Sequence, residues 1–383
     1  MAQYVSMNRL SFEVSSSLEK KLKSISELAS EKGVQLRNLL PDGRQAIHRY
    51  AQISNIGAST RIENAVLTDT EVDWLDETLG SDSRLGSFER HKKFIKNKLS
   101  KDKERSIEEV AGLRQVLTII YEQAGDLFPF NETHLRGLHH ELLQYYPPAS
   151  HYLGKYKTGS NSVIERVGNK ITREIFKTAD PGSITEAAMQ ELMAWYQHTL
   201  PHDLWSLAVI SEFVFRFLAI HPFQDGNGRL ARSLFLLGIL QTPDKNLNFV
   251  APYLAIDRQI EKSRAEYYIV LRQCSGGIFR QDPKDYHIEY FLNFMLKMVE
   301  RSLQQDIDYY QTKYSSYLDL GEKTKQVLQC FREHPETRLK SGQIATFIQI
   351  PRRTVTRALE DLARANFIQK MGQGAGVHYQ LIF

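Results

Sequence analysis

The feature that most constrains this chain is a long apolar run, LWSLAVISEFVFRFLAI, at residues 204–220. Only Glu212 and Arg216 bring charge into it, and a second apolar stretch, LARSLFLLGILQ, follows at 230–241. A membrane-spanning helix needs about 20 largely uncharged residues, so the two charges argue against one. The two stretches therefore predict helices buried in the core of a protein that has no membrane contact.

Helical periodicity continues on both sides of this pair. Apolar residues recur at helical spacing in 107–126, 131–146 and 183–200, and the helical pattern continues to about residue 305. One segment differs, because 153–171 carries glycines and β-branched residues and predicts an extended hairpin. We therefore predict an all-α fold with this one hairpin in its helical core.

Length and composition indicate the class of protein and its division. The chain has 383 residues, 42% hydrophobic and 25% charged, which is typical of a globular protein of two or three domains. We predict an N-terminal region at 1–106, a helical core at 107–305 and a further domain at 318–383. The two cysteines show no paired spacing, and the N-terminus lacks the apolar stretch of a signal peptide, so we expect a cytoplasmic protein.

The tail beyond residue 318 has its own pattern. KTKQVLQCFREH, SGQIATFIQ and IPRRTVTRALEDLARANF predict three helices, and FIQKM and VHYQLI flank GQGAG as a hairpin. Helix, helix, helix and hairpin is the order of a winged helix-turn-helix domain.

The tail is also basic. Residues 321–383 hold ten Lys and Arg against five Asp and Glu, whereas the whole chain has a net charge of only +4. Arg352, Arg353 and Arg357 crowd the third helix, which suits contact with DNA phosphates. A winged helix that binds protein or forms a homodimer explains the pattern equally well, and both partners stay open.

Between the two apolar helices lies HPFQDGNGRLAR, residues 221–232, which concentrates unusual chemistry in one short segment. It is predicted to be a loop that leads into a helix. The backbone of Gly226, Asn227 and Gly228 can then turn successive N–H groups inward. Together with the positive end of the helix, these groups predict an anion site.

The charged residues of this segment extend the prediction. Arg229 and Arg232 are three apart on one helix face and suit bidentate binding of phosphate. Asp225 precedes the glycines, and a carboxylate beside phosphates is how Mg²⁺ is usually held. His221 ends the preceding helix, and its ordinary pKa of about 6.5 suits a general base. The set predicts a site for a nucleoside triphosphate and Mg²⁺, with a base that activates a hydroxyl nucleophile.

Each of these features alone has a simpler explanation. A histidine at a helix end is usually structural, paired arginines are usually solvated, and Phe223 is most simply a core anchor. A calcium loop starting at Asp225 is excluded because Leu236 stands where the loop needs glutamate. A Walker-type P-loop is also absent from the sequence. The combination of residues, and not any single one, carries the prediction.

HPFQDGNGRLAR resembles the signature of the Fic family, His-x-Phe-x-Asp/Glu-Gly-Asn-Gly-Arg-x-x-Arg, and matches it at every specified position. The resemblance implies a helical core over about residues 107–300. It also implies a protein adenylyltransferase, which moves AMP from ATP onto a Ser, Thr or Tyr hydroxyl, with His221 as the base and Asp225 as the Mg²⁺ ligand. The related Doc toxins phosphorylate instead and carry lysine where Gly228 stands, which favours AMP transfer here.

The resemblance also implies which residues contact ATP. The glycines and asparagine of the motif cradle the α- and β-phosphates, and its two arginines hold the outer phosphates. Leu254 and Asp257 lie where the family places the adenine pocket. The full set expected to contact ATP is Glu63, His221, Gly226, Asn227, Gly228, Arg229, Leu230, Ala231, Arg232, Leu254 and Asp257.

The predicted hairpin at 153–171 resembles the family's flap, which binds the target by adding it as a strand. Its Gly154-Lys155-Tyr156-Lys157 is similar to Gly-x-Tyr/Phe-Arg, with lysine where arginine is commoner. A simple surface hairpin is the alternative. The expected docking residues are Gly154, Tyr156, Lys157, Val163 and Ile164.

Upstream, STRIEN at 59–64 matches Ser/Thr-x-x-x-Glu-Gly/Asn, the inhibitory motif of autoinhibited Fic proteins, through Ser59, Glu63 and Asn64. The resemblance implies that Glu63 pairs with the second motif arginine, Arg232, and keeps it from the γ-phosphate. The alternative is local, because Thr60-x-x-Glu63 also fits a capping box at a helix start.

The sequence thus predicts an autoinhibited protein adenylyltransferase that uses ATP and Mg²⁺. Its target is a protein with a hydroxyl side chain, and that target can be the enzyme itself. Two alternatives stay open. In one, Glu63 positions water and His221 protonates the leaving oxygen, so that AMP is removed from a modified protein. In the other, the chain is a DNA-binding regulator whose Fic core senses a nucleotide.

Overall fold

The computed structural model describes residues 10–80, 85–99, 103–167, 170–202, 205–335 and 337–382. Most of them are helical, which confirms the all-α prediction. The first nine helices are α1 (Ser16–Arg37), α2 (Pro41–Ile62), α3 (Asp69–Leu79), α4 (Leu85–Lys98), α5 (Glu104–Gln123), α6 (Glu132–Leu143), α7 (Ser183–Thr199), α8 (Ser206–Ile220) and α9 (Asn227–Gln241). The next are α10 (Lys245–Val250), α11 (Ile256–Lys262), α12 (Arg264–Ser275), α13 (Ile288–Arg301), α14 (Ile307–Leu318), α15 (Glu322–Arg332), α16 (Ser341–Ile348) and α17 (Arg352–Arg364). The strands are β1 (Ser162–Val167), β2 (Lys170–Lys177), β3 (Ile368–Met371) and β4 (His378–Leu381).

Residues 206–220 of the apolar run form α8, and all residues of α8 are buried. A helix that is apolar on every side has to be covered on every side, and α7, α9 and α13 pack around it. The two charges inside it are paired, because Arg216 lies 3.4 Å from Glu212 and 3.0 Å from Glu191. The prediction of a buried helix is therefore confirmed. No helix in the described ranges has the length and hydropathy that crossing a membrane requires.

The candidate loop connects the two central helices. α8 ends at Ile220 and α9 begins at Asn227, so residues 221–226 form the link between them. α2 packs along α11 and also contacts α9. This packing brings the end of α2 to the first turn of α9, where the signature residues lie.

The hairpin lies later in the chain than the predicted 153–171. Antiparallel pairing joins β1 to β2, from Ser162 opposite Lys177 to Val167 opposite Lys170. The predicted residues 153–161 precede β1 and do not pair with β2. Among them, Tyr156 forms a β-bridge with Phe223 of the loop. Val163 and Ile164 belong to β1, but their side chains are outside the described part of the chain, so their docking role stays a prediction.

The chain divides into two compact units. One combines the chain up to Ala65 with Glu108–Ile307, and the other combines Val66–Ile107 with Asp308–Phe383. Loop 221–226 and α2 both belong to the first unit. The three-part division at 1–106, 107–305 and 318–383 stays a prediction.

Within the second unit, α15, α16, α17 and the β3–β4 hairpin follow in the order that the sequence predicted. One side of α17 enters an apolar core through Val355 and Leu359, which are fully buried. The other side exposes Arg352, Arg353 and Arg357 to solvent. The assignment of this segment as a winged helix stays a prediction.

Candidate active site

The loop begins and ends with left-handed backbone. His221 follows α8 with φ 53°, and its N–H donates to the Phe217 carbonyl at 2.8 Å. Gly226 precedes α9 with φ 82°, a conformation that costs glycine little because it has no Cβ. A non-glycine residue at positive φ is uncommon and is often found where function requires it. The backbone of His221 is therefore held in place by its surroundings.

Two side chains keep the loop closed. Asn227 is buried and bonds both polar groups of Phe223: its Oδ1 accepts from the Phe223 N–H at 2.9 Å, and its Nδ2 donates to the Phe223 carbonyl at 2.7 Å. The Phe223 ring is fully buried, which confirms the predicted core anchor. Asn227 thus contributes its side chain to the loop and its N–H to the first turn of α9.

The half-buried His221 ring has a defined protonation state. Its Nδ1 lies 3.3 Å from the Leu218 carbonyl oxygen. Because a carbonyl can only accept, Nδ1 carries the proton and Nε2 holds a lone pair. Burial, and secondarily the positive charge of Lys157, lower the pKa of His221 to about 4. The ring is therefore neutral at pH 7 and can accept a proton at Nε2.

The first turn of α9 is already faced by a carboxylate. The first N–H groups of a helix have no partner within the helix and attract anions. A Cβ at Gly228 would collide with the Glu63 carboxylate, so that carboxylate lies directly over the backbone of the motif. Glu63 thus occupies the position that an anionic ligand of this helix end would take.

Arg232 is fixed by the end of α2. Its guanidinium donates from Nε to Ser59 Oγ at 2.8 Å, and from Nη2 to the Ser59 carbonyl at 2.9 Å and to Glu63 Oε1 at 2.8 Å. Ser59 and Arg232 are buried, whereas 34% of the Glu63 side chain is exposed. Burial alone would lower the pKa of Arg232, but the Glu63 charge raises it overall. The ion pair expected between Glu63 and Arg232 is present.

Arg229 is buried beside two other carboxylates. It lies 3.1 Å from Asp225 and 3.5 Å from Glu109. In the part of the chain that the structure describes, its buried Nε makes no hydrogen bond, and its Nη1 faces Glu109 only as an ion pair. A buried donor without an acceptor is costly, and an anion bound at this site would supply one.

Asp225 directly precedes Gly226 in the loop and is partly exposed. Its Oδ1 accepts from the Gly226 N–H at 2.6 Å and from Arg229 Nη2 at 3.1 Å, and 37% of its side chain is exposed. Within the described residues, no group of three or more His, Cys, Asp or Glu side chains is arranged to hold a metal ion. Mg²⁺ is commonly held by one or two carboxylates together with substrate phosphates. A single exposed carboxylate beside the anion site fits that kind of binding.

The STRIEN segment, residues 59–64, lies at the end of a helix, so the capping-box interpretation is wrong. α2 ends at Ile62 and Glu63 follows it, whereas a capping box needs a helix that begins there. The Thr60 hydroxyl instead donates back to the carbonyls of Ile56 and Gly57. Glu63 is therefore free of the local capping role and is directed towards α9.

Residues on both sides of Glu63 are held by α11 and by the first residue of α12. Arg61 forms a bidentate pair with Glu261, at 2.6 and 2.9 Å. Asn64 has φ 74°, and its Oδ1 accepts from Arg264 at 2.9 Å. These contacts fix the backbone on either side of Glu63.

The two residues expected in the adenine pocket lie against α2. Leu254 is fully buried, and its carbonyl accepts from Asn55 Nδ2 at 2.7 Å. Asp257 is buried too, and its N–H donates to Asn55 Oδ1 at 3.2 Å. Burial raises the pKa of Asp257 to about 6, although the Arg232 charge opposes this. The structure thus brings both residues to α2, and their contact with adenine stays a prediction.

Leu230 and Ala231 are fully buried in α9, so their side chains belong to the core.

The predicted docking residues Gly154, Tyr156 and Lys157 come before the hairpin. The Lys157 N–H donates to the Pro222 carbonyl at 2.8 Å, and its side chain is buried. Lys157 is therefore part of the support of the loop.

His139 is a site residue that sequence reasoning missed. It is fully buried and stacks on Phe223 with ring centroids 3.8 Å apart. Its Nδ1 accepts from the Gly154 N–H at 3.0 Å, so Nε2 carries the proton that donates to the Asp225 carbonyl at 3.1 Å. The sequence shows only a histidine pair on a helix, and nothing in that pattern indicates such long-range partners.

Comparison with known proteins agrees with this fold and identifies a family domain. Residues 129–237 match the model of the Fic/DOC family, so the chain contains a Fic/DOC family domain. Enzymes with such domains are typically transferases that use a nucleotide substrate.

Solved structures of Fic proteins share the fold. A Fic family protein from Desulfovibrio desulfuricans G20 matches with TM-score 0.57 and 19% identity, covering 98% of this chain and 98% of that chain. A Fic domain containing signaling protein from Bacteroides thetaiotaomicron VPI-5482 matches with TM-score 0.53 and 22% identity, covering 76% of this chain and 97% of that one. A segment of Fic-1 from C. elegans matches with TM-score 0.52 and 17% identity, covering 77% and 73%. At these identities the likeness establishes the fold alone.

Proposed function

We propose that this protein is an adenylyltransferase that transfers AMP from ATP to a Ser, Thr or Tyr hydroxyl of a target protein. The observation that carries the proposal is the neutral His221, held at the entrance to an anion site formed by the first turn of α9. A base and a phosphate site joined by one short loop suit activation of a hydroxyl beside a phosphoryl group.

In the proposed reaction, the target hydroxyl attacks the α-phosphorus of ATP while His221 Nε2 takes its proton. The bond from the α-phosphorus to the bridging oxygen breaks, and pyrophosphate leaves. The N–H groups at the start of α9 bind phosphate oxygens, and Arg229 and Arg232 bind the outer phosphates. Asp225 would hold Mg²⁺, which when bound neutralises phosphate charge.

The same geometry supports autoinhibition through Glu63. Its carboxylate lies over Gly228 and forms an ion pair with Arg232. An arginine paired in this way does not bind the γ-phosphate, and like charge disfavours the phosphates nearby. ATP that binds alongside Glu63 is then misaligned for in-line attack.

Radiolabelled ATP tests the proposal. Label from the α-position should appear on protein, label from the γ-position should not, and His221→Ala should abolish transfer while ATP binding is nearly retained. Loss of ATP binding in His221→Ala would make the histidine structural. Release of AMP from a modified protein, without transfer from ATP, would instead establish the reverse reaction.

A second function, DNA binding by the tail, is favoured by the exposed arginines of α17. Arg352→Ala combined with Arg353→Ala should lower DNA affinity and make its dependence on salt shallower. Arg364→Ala is the matched control, because Arg364 is exposed at the far end of the same helix, 3.4 Å from Asp361. Failure of the wild-type protein to bind DNA at low salt would leave this segment as a protein-binding or dimerisation module.

A further inference from the structure

A buried polar cluster joins the base of the β1–β2 hairpin to the loop of His221. We call Lys157, Asn161 and Thr178 the hairpin-base cluster. Asn161 directly precedes β1 and Thr178 directly follows β2. Lys157 is 3% exposed, and its ammonium donates to Asn161 Oδ1 at 2.8 Å and to Thr178 Oγ1 at 3.0 Å. The cluster therefore closes the hairpin at its two chain ends.

The third hydrogen bond of the Lys157 ammonium leaves the hairpin. It goes to the carbonyl oxygen of Ile220 at 3.0 Å. Ile220 is the last residue of α8 and directly precedes His221. A lysine ammonium has three donors, so these three acceptors use all of them.

Asn161 bonds the other side of the same histidine. Its Oδ1 accepts from Lys157 and from Thr178 Oγ1, while its Nδ2 donates to the Phe223 carbonyl at 2.8 Å and to the His221 carbonyl at 3.4 Å. The cluster thus reaches three carbonyl groups, of residues 220, 221 and 223. These carbonyls surround His221. In the loop between α8 and Gly226, His221 is the non-glycine residue that has a left-handed backbone.

We propose that Lys157 and Asn161 are positioning residues of the proposed reaction, which hold the backbone of His221 in its left-handed conformation and fasten it to the base of the hairpin. Only the expected effect on the rate of AMP transfer rests on the proposed function. Its structural part, that Lys157 sets the environment of His221, holds whatever reaction the site performs.

The charge of Lys157 gives the proposal a direct readout. His221 is faced by Lys157, which lowers its pKa, and by Glu63 and Asp225, which raise it. Burial lowers the pKa of Lys157 itself to about 8, and Asp180 opposes this. At pH 7 Lys157 is therefore mostly charged. Removing that charge should raise the pKa of His221, an effect that a purely structural lysine far from the ring would not have.

Four variants of the full chain test the proposal: Lys157→Met, Lys157→Arg, Asn161→Asp and the control Lys155→Met. Lys155 is exposed two residues away, and its Nζ donates to the His151 carbonyl at 3.2 Å. The pKa of His221 is measured by NMR on protein labelled in its histidine rings, with the signal assigned by its loss in His221→Gln. Circular dichroism confirms that each variant is folded.

Lys157→Met should raise the pKa of His221 towards its ordinary value, whereas Lys157→Arg and Lys155→Met should leave it low. In a Glu63→Gly background, kcat for AMP transfer should fall about tenfold to 100-fold in Lys157→Met with KM for ATP nearly unchanged, as expected for a displaced base. Asn161→Asp keeps the acceptor for Lys157 but loses the donor to the loop, so it should lower kcat as well.

The proposal is overturned if folded Lys157→Met and Lys155→Met have the same His221 pKa and the same kcat. It is also overturned if Asn161→Asp transfers AMP at the parental rate. Absence of transfer in Glu63→Gly itself would be a failure of the proposed function. The NMR titration would still decide whether Lys157 controls His221.

Discussion

Replacing Glu63 with glycine is the most direct test of the proposed autoinhibition. The substitution removes the carboxylate that lies over Gly228 and the 2.8 Å ion pair with Arg232. It leaves both bonds from Arg232 to Ser59, at 2.8 and 2.9 Å. The guanidinium therefore keeps its orientation and regains one donor for a phosphate.

The expected gain can be worked from these contacts. A hydrogen bond to a charged group contributes about 1.5–3 kcal/mol, and about 1.4 kcal/mol corresponds to a factor of ten. One recovered contact from Arg232 should therefore tighten ATP binding about tenfold to 100-fold. Correct alignment of the α-phosphate should add about 100-fold in rate, because a misplacement of about 1 Å costs that much.

The expected stability change is small. The Glu63 side chain is 34% exposed, so its ion pair is partly screened and should contribute about 1 kcal/mol. Glu63 follows the end of α2, so no helix start is disturbed. The melting temperature should fall by about 2–4 °C.

The assay follows AMP incorporation, ATP affinity by calorimetry and the melting temperature on one preparation. Glu63→Gln is the matched control: it keeps a side chain of the same size, loses the charge and should give an intermediate gain in activity. If Glu63→Gly shows activity equal to or below wild type together with a lowered melting temperature, Glu63 stabilises the fold and does not inhibit the enzyme.

Three further predictions concern the surroundings of the loop. Asp225→Ala should weaken ATP binding in Mg²⁺ but not in its absence, and an unchanged dependence on Mg²⁺ would remove Asp225 from the metal site. His139→Phe keeps an aromatic ring on Phe223 but leaves the Gly154 N–H and the Asp225 carbonyl without their partner, so the free energy of unfolding should fall by about 2–6 kcal/mol; a denaturant titration that matches wild type would contradict this. Glu261→Gln weakens the pair with Arg61 and should raise AMP incorporation without changing the ATP site itself, whereas equal incorporation would show that this pair does not hold Glu63 in place.

Local sequence patterns predicted the parts that local physics determines. The run at 204–220 is apolar on every side, so its helix had to be buried, and α8 is. The glycines of the loop predicted a backbone turn into a helix start, and Gly226 makes this turn with a φ of 82°. The positions of His221 and Asp225 relative to that turn followed from spacing alone.

Long-range partners were not predictable in the same way. Thr60 and Glu63 have the spacing of a capping box, but their meaning depends on whether a helix begins or ends there, and α2 ends at Ile62. Lys157 was predicted to be a docking residue, because its segment resembles the Fic flap. It is buried because acceptors from residues 161, 178 and 220 converge on it, and no pattern within its own segment shows this.

The packing of α2 determines how the proposed inhibition would be released. Four isoleucines of α2 are fully buried: Ile47, Ile53, Ile56 and Ile62. Each buried side chain of this size contributes about 1.5–3 kcal/mol, so withdrawing the helix would cost about 6–12 kcal/mol before its polar contacts are counted. Rotating the partly exposed Glu63 side chain away from Arg232 costs about 1 kcal/mol.

Withdrawal of α2 would also break the hydrogen bonds from Asn55 to Leu254 and Asp257, and the bond between Ser59 and Arg232. One side of the proposed nucleotide site would then be lost. Under the proposed function, ATP therefore competes with one carboxylate and not with a helix, and α2 stays in place in both the inhibited and the active enzyme.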